Sequence, residues 1–205
     1  MPDGRAVIPA INKLLSLPFT VKIATKDWHP ATHISFASQH AGKRPFVDHT
    51  TVINPYNPAE SYSSRLWPDH CIQDTPGARL VPELDTQRLD SIIEKGQRPD
   101  VEMYSAFYTP LQNPRVGDSG LAAELRSRGI SDVYVVGLAA DYCVQATALD
   151  ARAEGFRTCI VEDATRPVDG EGWPGVREEI RRAGVRVVAM GGEEVGRLEK
   201  GRVDG

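Results

Sequence analysis

Residues 132–153 read DVYVVGLAADYCVQATALDARA, from Asp132 to Ala153. A β-branched run stops at Gly137 and Leu138 and a helical pattern begins near Asp141, which puts Cys143 in the first turn of a helix at the carboxyl end of a strand. Unpaired backbone N–H groups and the positive end of the helix dipole gather there, and both favour a thiolate over a thiol. Cys143 is therefore a candidate nucleophile. A free cysteine also reads as a small buried residue, and this segment alone leaves both readings open.

The same alternation extends to both sides. Asp118–Gly129 reads as a helix with an Asp-Ser start and a Gly stop, Val133–Val136 as a strand, Asp141–Glu154 as a helix and Phe156–Glu162 as a strand. Gly172–Ala183 and Val185–Met190 repeat the pair. Upstream, Val7, Ala10, Ile11, Leu14 and Leu15 make a helical stripe over Ala6–Leu17, and Phe19–Ala24 reads as a strand. Helical patterning returns at Asp85–Ile93, with a strand at Ile92–Lys95. From Asp27 to about Leu84, regular periodicity fades into Pro, His, Asn, Ser and Gly. A loop-rich stretch of that length, carrying aromatics and histidines, predicts function. Alternating helices and short apolar strands predict an α/β fold with a mainly parallel sheet, whose ligands bind at the carboxyl ends of the strands.

With 205 residues, 40% hydrophobic and 25% charged, the chain suits one compact domain over 1–205 with a sizeable core. A net charge of −4 without a basic block argues against a nucleic-acid partner. No apolar run approaches the roughly 20 residues needed to span a bilayer, and the opening MPDGRAVIPA has no basic and apolar leader. The expected location is the cytoplasm, with the nucleus as the other compartment, and the expected partner is a small molecule, self-association being left open. Three widely spaced cysteines, Cys71, Cys143 and Cys159, fit neither a disulfide framework nor a paired-cysteine zinc cage, and read as reduced thiols.

A second constellation lies in Asp27-Trp28-His29, with His70 further on in Trp67-Pro68-Asp69-His70-Cys71. A carboxylate and an imidazole two residues apart on an extended backbone project from the same side and can reach one cation. A distant third ligand closes the set. One carboxylate, two imidazoles and open positions suit a catalytic Zn2+, and Mn2+ or Fe2+ would also accept them. Loop-capping hydrogen bonds by His29 and His70 are the other reading. His33, His40 and His49 in the same loop read as structural, although His33 is spaced to add a ligand.

Together the segments DWHPATHISFASQH (27–40), WPDHCIQDTPGARL (67–80) and GLAADYCVQATALDARAEGF (137–156), with DATRP at Asp163–Pro167, resemble the nicotinamidases, or pyrazinamidases, of the isochorismatase-like cysteine hydrolases. The likeness covers nearly the whole chain. It implies a three-layer α/β/α fold, a metal held by Asp27, His29 and His70, and a nucleophile at Cys143. Lys95, in IIEKG, matches the family's catalytic lysine; read without the likeness, it is a solvated lysine beside Glu94. Leu138–Ala139 matches the family's cis peptide, whose N–H joins that of Cys143 in an oxyanion hole. Trp67, Tyr104 and Phe107 fall where family members have residues near the substrate. The reaction implied is metal-dependent hydrolysis of nicotinamide to nicotinate and ammonia in NAD salvage, with pyrazinamide-like amides as analogues. A non-catalytic metal- and nicotinamide-binding module, a hydrolase of another small substrate, and a purely structural zinc are the alternatives.

One departure stands out. Family members open on a central strand of the form LIVVDxQNDF, whose aspartate completes the catalytic triad, whereas this sequence starts at Met1-Pro2-Asp3-Gly4, which matches the family just after that strand. The expectation is therefore slow turnover by the chain as written. Asp141 fits a helix N-cap and Asp163 a loop turn, so neither is taken as a replacement.

Overall fold

The computed structural model describes residues 3–201, which divide into two compact units. The first comprises the described residues up to Ile23, Val81–Ser91 and those from Gly120 onward; the second comprises Ala24–Leu80 and Ile92–Ser119.

In the first unit, strands β5 (Asp132–Leu138), β6 (Arg157–Arg166) and β7 (Arg186–Val188) pair in parallel in that order. The successive side chains of β6 point to opposite faces, as the strand period requires. Cys159 and Val161 pack with Leu14 of α1 (Ile8–Leu15) and with Val195 and Leu198 of α5 (Glu193–Glu199). Ile160 packs the other way, with Ala148 of α3 (Gln145–Ala153) and Ile180 of α4 (Trp173–Arg182). Helices on both faces of a parallel sheet give the α/β/α layering that the sequence predicts.

The turns explain the rhythm. After α3, Gly155 takes φ +94, its N–H donates to Arg152 O, and the Phe156 N–H donates to Ala151 O. This double closure satisfies the last helical carbonyls and turns the chain into β6. Gly129 and Gly184 end α2 (Leu121–Ser127) and α4 in the same way.

β1 (Ile23–Asp27) pairs with β4 (Ser91–Lys95), each in the second unit but for its first residue, and within that unit an antiparallel hairpin joins β2 (His49–Asn54) to β3 (Asn57–Arg65). Its core gathers Val52, Val101, Leu111 and Val116, with Ile34 and Tyr62 against it.

Several boundaries differ from expectation. The first strand runs Ile23–Asp27 rather than Phe19–Ala24, because Pro18 and the hydrogen bonds of Lys22 with Asp90 hold the chain before it enters the pairing. The hairpin occupies part of the stretch read as loop. Helical patterning at Asp85–Ile93 resolves into one short 3-10 turn, Thr86–Arg88, followed directly by β4. β6 extends through Arg166, since a register shift opposite Gly137 lets Thr165 and Arg166 rejoin Gly137 and Leu138. The described residues contain no helix long and apolar enough to cross a membrane.

Candidate active site

Cys143 lies where the sequence puts it, just past the carboxyl end of β5, but in a π-helical turn, Ala140–Val144, that leads into α3. The N–H groups of Tyr142 and Val144 both donate to Ala139 O. Such single wide turns inside helices recur at functional sites. Cys143 is partly exposed, and the Leu138–Ala139 peptide before it is cis.

Asp141 does not cap its own helix. Ala139 O already takes the first N–H groups, and the Asp141 carboxylate instead accepts the N–H groups of Val168 (2.8 Å) and Asp169 (2.9 Å). It therefore ties the turn after β6 to the cysteine segment. Asp163 is likewise no loop residue: it sits within β6 and accepts the Met190 N–H. Asp141→Ala is expected to strand two backbone donors, costing about 1–2 kcal/mol. Amide hydrogen exchange should quicken at Val168 and Asp169; unchanged protection there would refute the tie.

The second unit carries the cation group. Asp27 ends β1, and His29 follows with its N–H donating to Cys71 O. Ligand atoms of Asp27, His29 and His70 lie within 4.8 Å of one another. His29 Nδ1 is 2.9 Å from Gly96 O and His70 Nδ1 is 2.8 Å from Pro68 O. A carbonyl only accepts, so each Nδ1 must carry the proton, and each Nε2 keeps its lone pair. Two imidazoles whose Nε2 atoms are left for a cation and one carboxylate, with open positions, fit a divalent ion such as zinc.

Lys95, the last residue of β4, is 4% exposed, with its Nζ 2.5 Å from Asp27 Oδ1 and 3.1 Å from Met103 O. It is not the solvated lysine of the alternative reading. Burial on its own would raise the Asp27 carboxyl; Lys95 and His29 outweigh it and hold the group below the usual carboxylate range. His29 is pushed down by burial against the opposing charges of Glu102 and Asp27. His33 is pushed down to about 3 by burial and by His29, and both its nitrogens are engaged, with Ser35 Oγ and Val101 O. Its spacing from His29 would suit an added ligand, but with both nitrogens engaged it holds the loop instead.

Trp67 donates its Nε1–H to Tyr104 Oη at 2.9 Å, and Phe46 stands edge-on to Trp67. Phe107 is buried, at 1% exposure. Sequence reading overlooked Glu102, a carboxylate at 2% exposure whose charge acts on His29. Its only linear signal is an acid within the apolar run Val101–Met103.

The Isochorismatase domain family matches residues 31–190. The chain belongs to the isochorismatase family. Among relatives, the nicotinamidase of Acinetobacter baylyi is 43% identical over 166 residues, covering 81% of this chain and 72% of that one. The structure of the yeast nicotinamidase bound to the inhibitor nicotinaldehyde superposes with a TM-score of 0.84 at 32% identity, covering 92% of this chain and 90% of that one. The pyrazinamidase of Pyrococcus horikoshii in complex with zinc gives 0.68 at 33% identity, covering 92% and 88%. These isochorismatase-family relationships lend no support to slow turnover, to a non-catalytic module or to a different substrate.

Proposed function

We propose that this protein is a nicotinamidase, a cysteine amidohydrolase that converts nicotinamide to nicotinate and ammonia, with pyrazinamide-like amides as analogues. The observation that carries the reading is the group of half-buried Asp27, buried His29 and half-buried His70, with Lys95 on the Asp27 carboxylate, in a chain similar to nicotinamidases over most of its length. The chain over 1–205 would work as a single catalytic domain.

An unactivated carboxamide needs a strong nucleophile and a place for the developing negative charge. In this reading the Cys143 thiolate attacks the carboxamide carbon, and the carbonyl electron pair moves onto oxygen. The backbone N–H groups of Ala139 and Cys143 receive that oxyanion. Collapse breaks the C–N bond, ammonia leaves with the proton that came from the thiol, and a thioester remains. Water then cleaves the thioester, releasing nicotinate and restoring the thiol. Lys95 supplies a fixed positive charge that favours the thiolate. Trp67, Tyr104 and Phe107 wall the ring. Asp27, His29 and His70 would hold zinc, or else manganese or iron. Bound there, the ion supplies Lewis acidity toward the ring nitrogen, which orients the carboxamide. Three free cysteines among the described residues accord with a cytoplasmic enzyme.

The test supplies nicotinamide to zinc-loaded protein and follows ammonia release together with nicotinate. Equal amounts of both products are expected. Nicotinamide binding by calorimetry with no ammonia released would overturn the catalytic reading.

A further inference from the structure

We infer that Gly96 is a positioning residue for metal binding: its missing side chain makes the space that the His29 ring fills, and its carbonyl fixes which ring nitrogen faces the ion. The inference rests on the metal reading above. Gly96 follows Lys95 and takes φ +70. A Cβ placed on it would lie 2.4 Å from His29 Cε1 and 2.6 Å from Nδ1, far inside any van der Waals contact. Meanwhile Gly96 O sits 2.9 Å from that same Nδ1. The residue thus touches the ring by close approach and by hydrogen bond at once.

The ring has nowhere to retreat. The His33 imidazole lies against it at 4.1 Å between centroids and is itself pinned by Ser35 and Val101. Phe36 stands edge-on at 5.7 Å. The backbone of His29 is tied on both sides, its N–H to Cys71 O and its carbonyl to the Gln73 N–H, while Trp28 N–H donates to Lys95 O. A methyl group at position 96 must therefore rotate the imidazole, and Nε2, on the far side of the ring, moves with it. Partners that orient a metal ligand in this way change metal affinity about 10- to 100-fold when altered.

The experiment measures Zn2+ affinity by chelator competition for wild type, Gly96→Ala and Gly129→Ala. Gly129 also has a left-handed φ, +66, but a Cβ there meets nothing within 4 Å. It controls for backbone strain alone. Gly96→Ala is expected to bind zinc at least about 10-fold more weakly and to alter the visible spectrum of the Co2+-loaded protein, while Gly129→Ala matches wild type. Equal affinity for Gly96→Ala and wild type, or an equal loss in both variants, would overturn the inference. If wild type itself bound no zinc, the metal reading would fall and the inference with it. Should Gly96→Ala not fold, 15N NMR of the His29 ring in metal-free wild type decides: a proton on Nδ1 is expected, and a proton on Nε2 refutes the assignment.

Discussion

Replacing Cys143 by alanine is expected to lower nicotinamide hydrolysis by at least about 1,000-fold, since removing a nucleophile leaves only what binding and oxyanion donors supply. Zinc content should stay the same, because the candidate ligands are Asp27, His29 and His70. Cys143→Ser keeps the shape but offers a far weaker nucleophile near neutral pH, and is expected to be nearly as slow. Alkylation provides an independent check. The thiolate is the reactive form, and the other two thiols are held protonated: burial pushes Cys71 up to about 11 and raises Cys159 as well. Iodoacetamide near pH 7.5 should label Cys143 first, with activity lost in step. An active alanine variant, or label found chiefly on Cys71, would remove Cys143 from the mechanism.

How much of this could be read from the sequence depends on how much of each element is covered. In the first unit strands are enclosed by helices on both faces, so they appear as short apolar runs closed by glycines, and β5, β6 and α4 are visible in the sequence to within a few residues. β2 and β3 are covered on one side only. Val52 and Asn54 point in while His49, Thr51 and Ile53 point out, and β3 is largely Ser, Glu and Asn, so the hairpin reads as loop; the alternation and the Asn-Pro-Tyr-Asn turn were the available signals. For the site, Asp27-x-His29 is legible because the backbone stays extended past the end of β1, with His29 in a β-bridge to Ile72, and residues two apart on an extended backbone share a side. The distance from His29 to Gly96 spans 67 residues, and a residue that acts by having no side chain leaves no mark in a linear pattern. The role of Asp141 was misread for a related reason: the first turn is π-helical, and Ala139 O takes the donors that an N-cap would have met.

Asp27 and His70 should separate, by stability, two effects that look alike in an activity assay. Both Asp27→Ala and His70→Ala remove one candidate ligand, and both are expected to cut zinc affinity and turnover by at least about 100-fold. Asp27 has a second partner. It faces the ammonium of Lys95, which is 4% exposed, whereas the Asp27 carboxylate is 24% exposed. Removing one side of a buried pair leaves a charge without its counterion, which costs about 3–5 kcal/mol in the fully buried case; partial exposure of the carboxylate brings the expected loss to about 2–3 kcal/mol. His70 gives up one hydrogen bond from its ring to Pro68 O, worth about 1 kcal/mol or less at a partly exposed position. In chelator-treated protein, denaturant unfolding should therefore show Asp27→Ala clearly less stable than wild type and His70→Ala close to it. Asp27→Asn tests the same point from another side: it retains a polar group of the same shape without the charge, and should remain less stable than His70→Ala if the Lys95 ammonium is what the carboxylate offsets. Stability losses of equal size in Asp27→Ala and His70→Ala would mean that the Lys95 pair contributes nothing beyond the metal site.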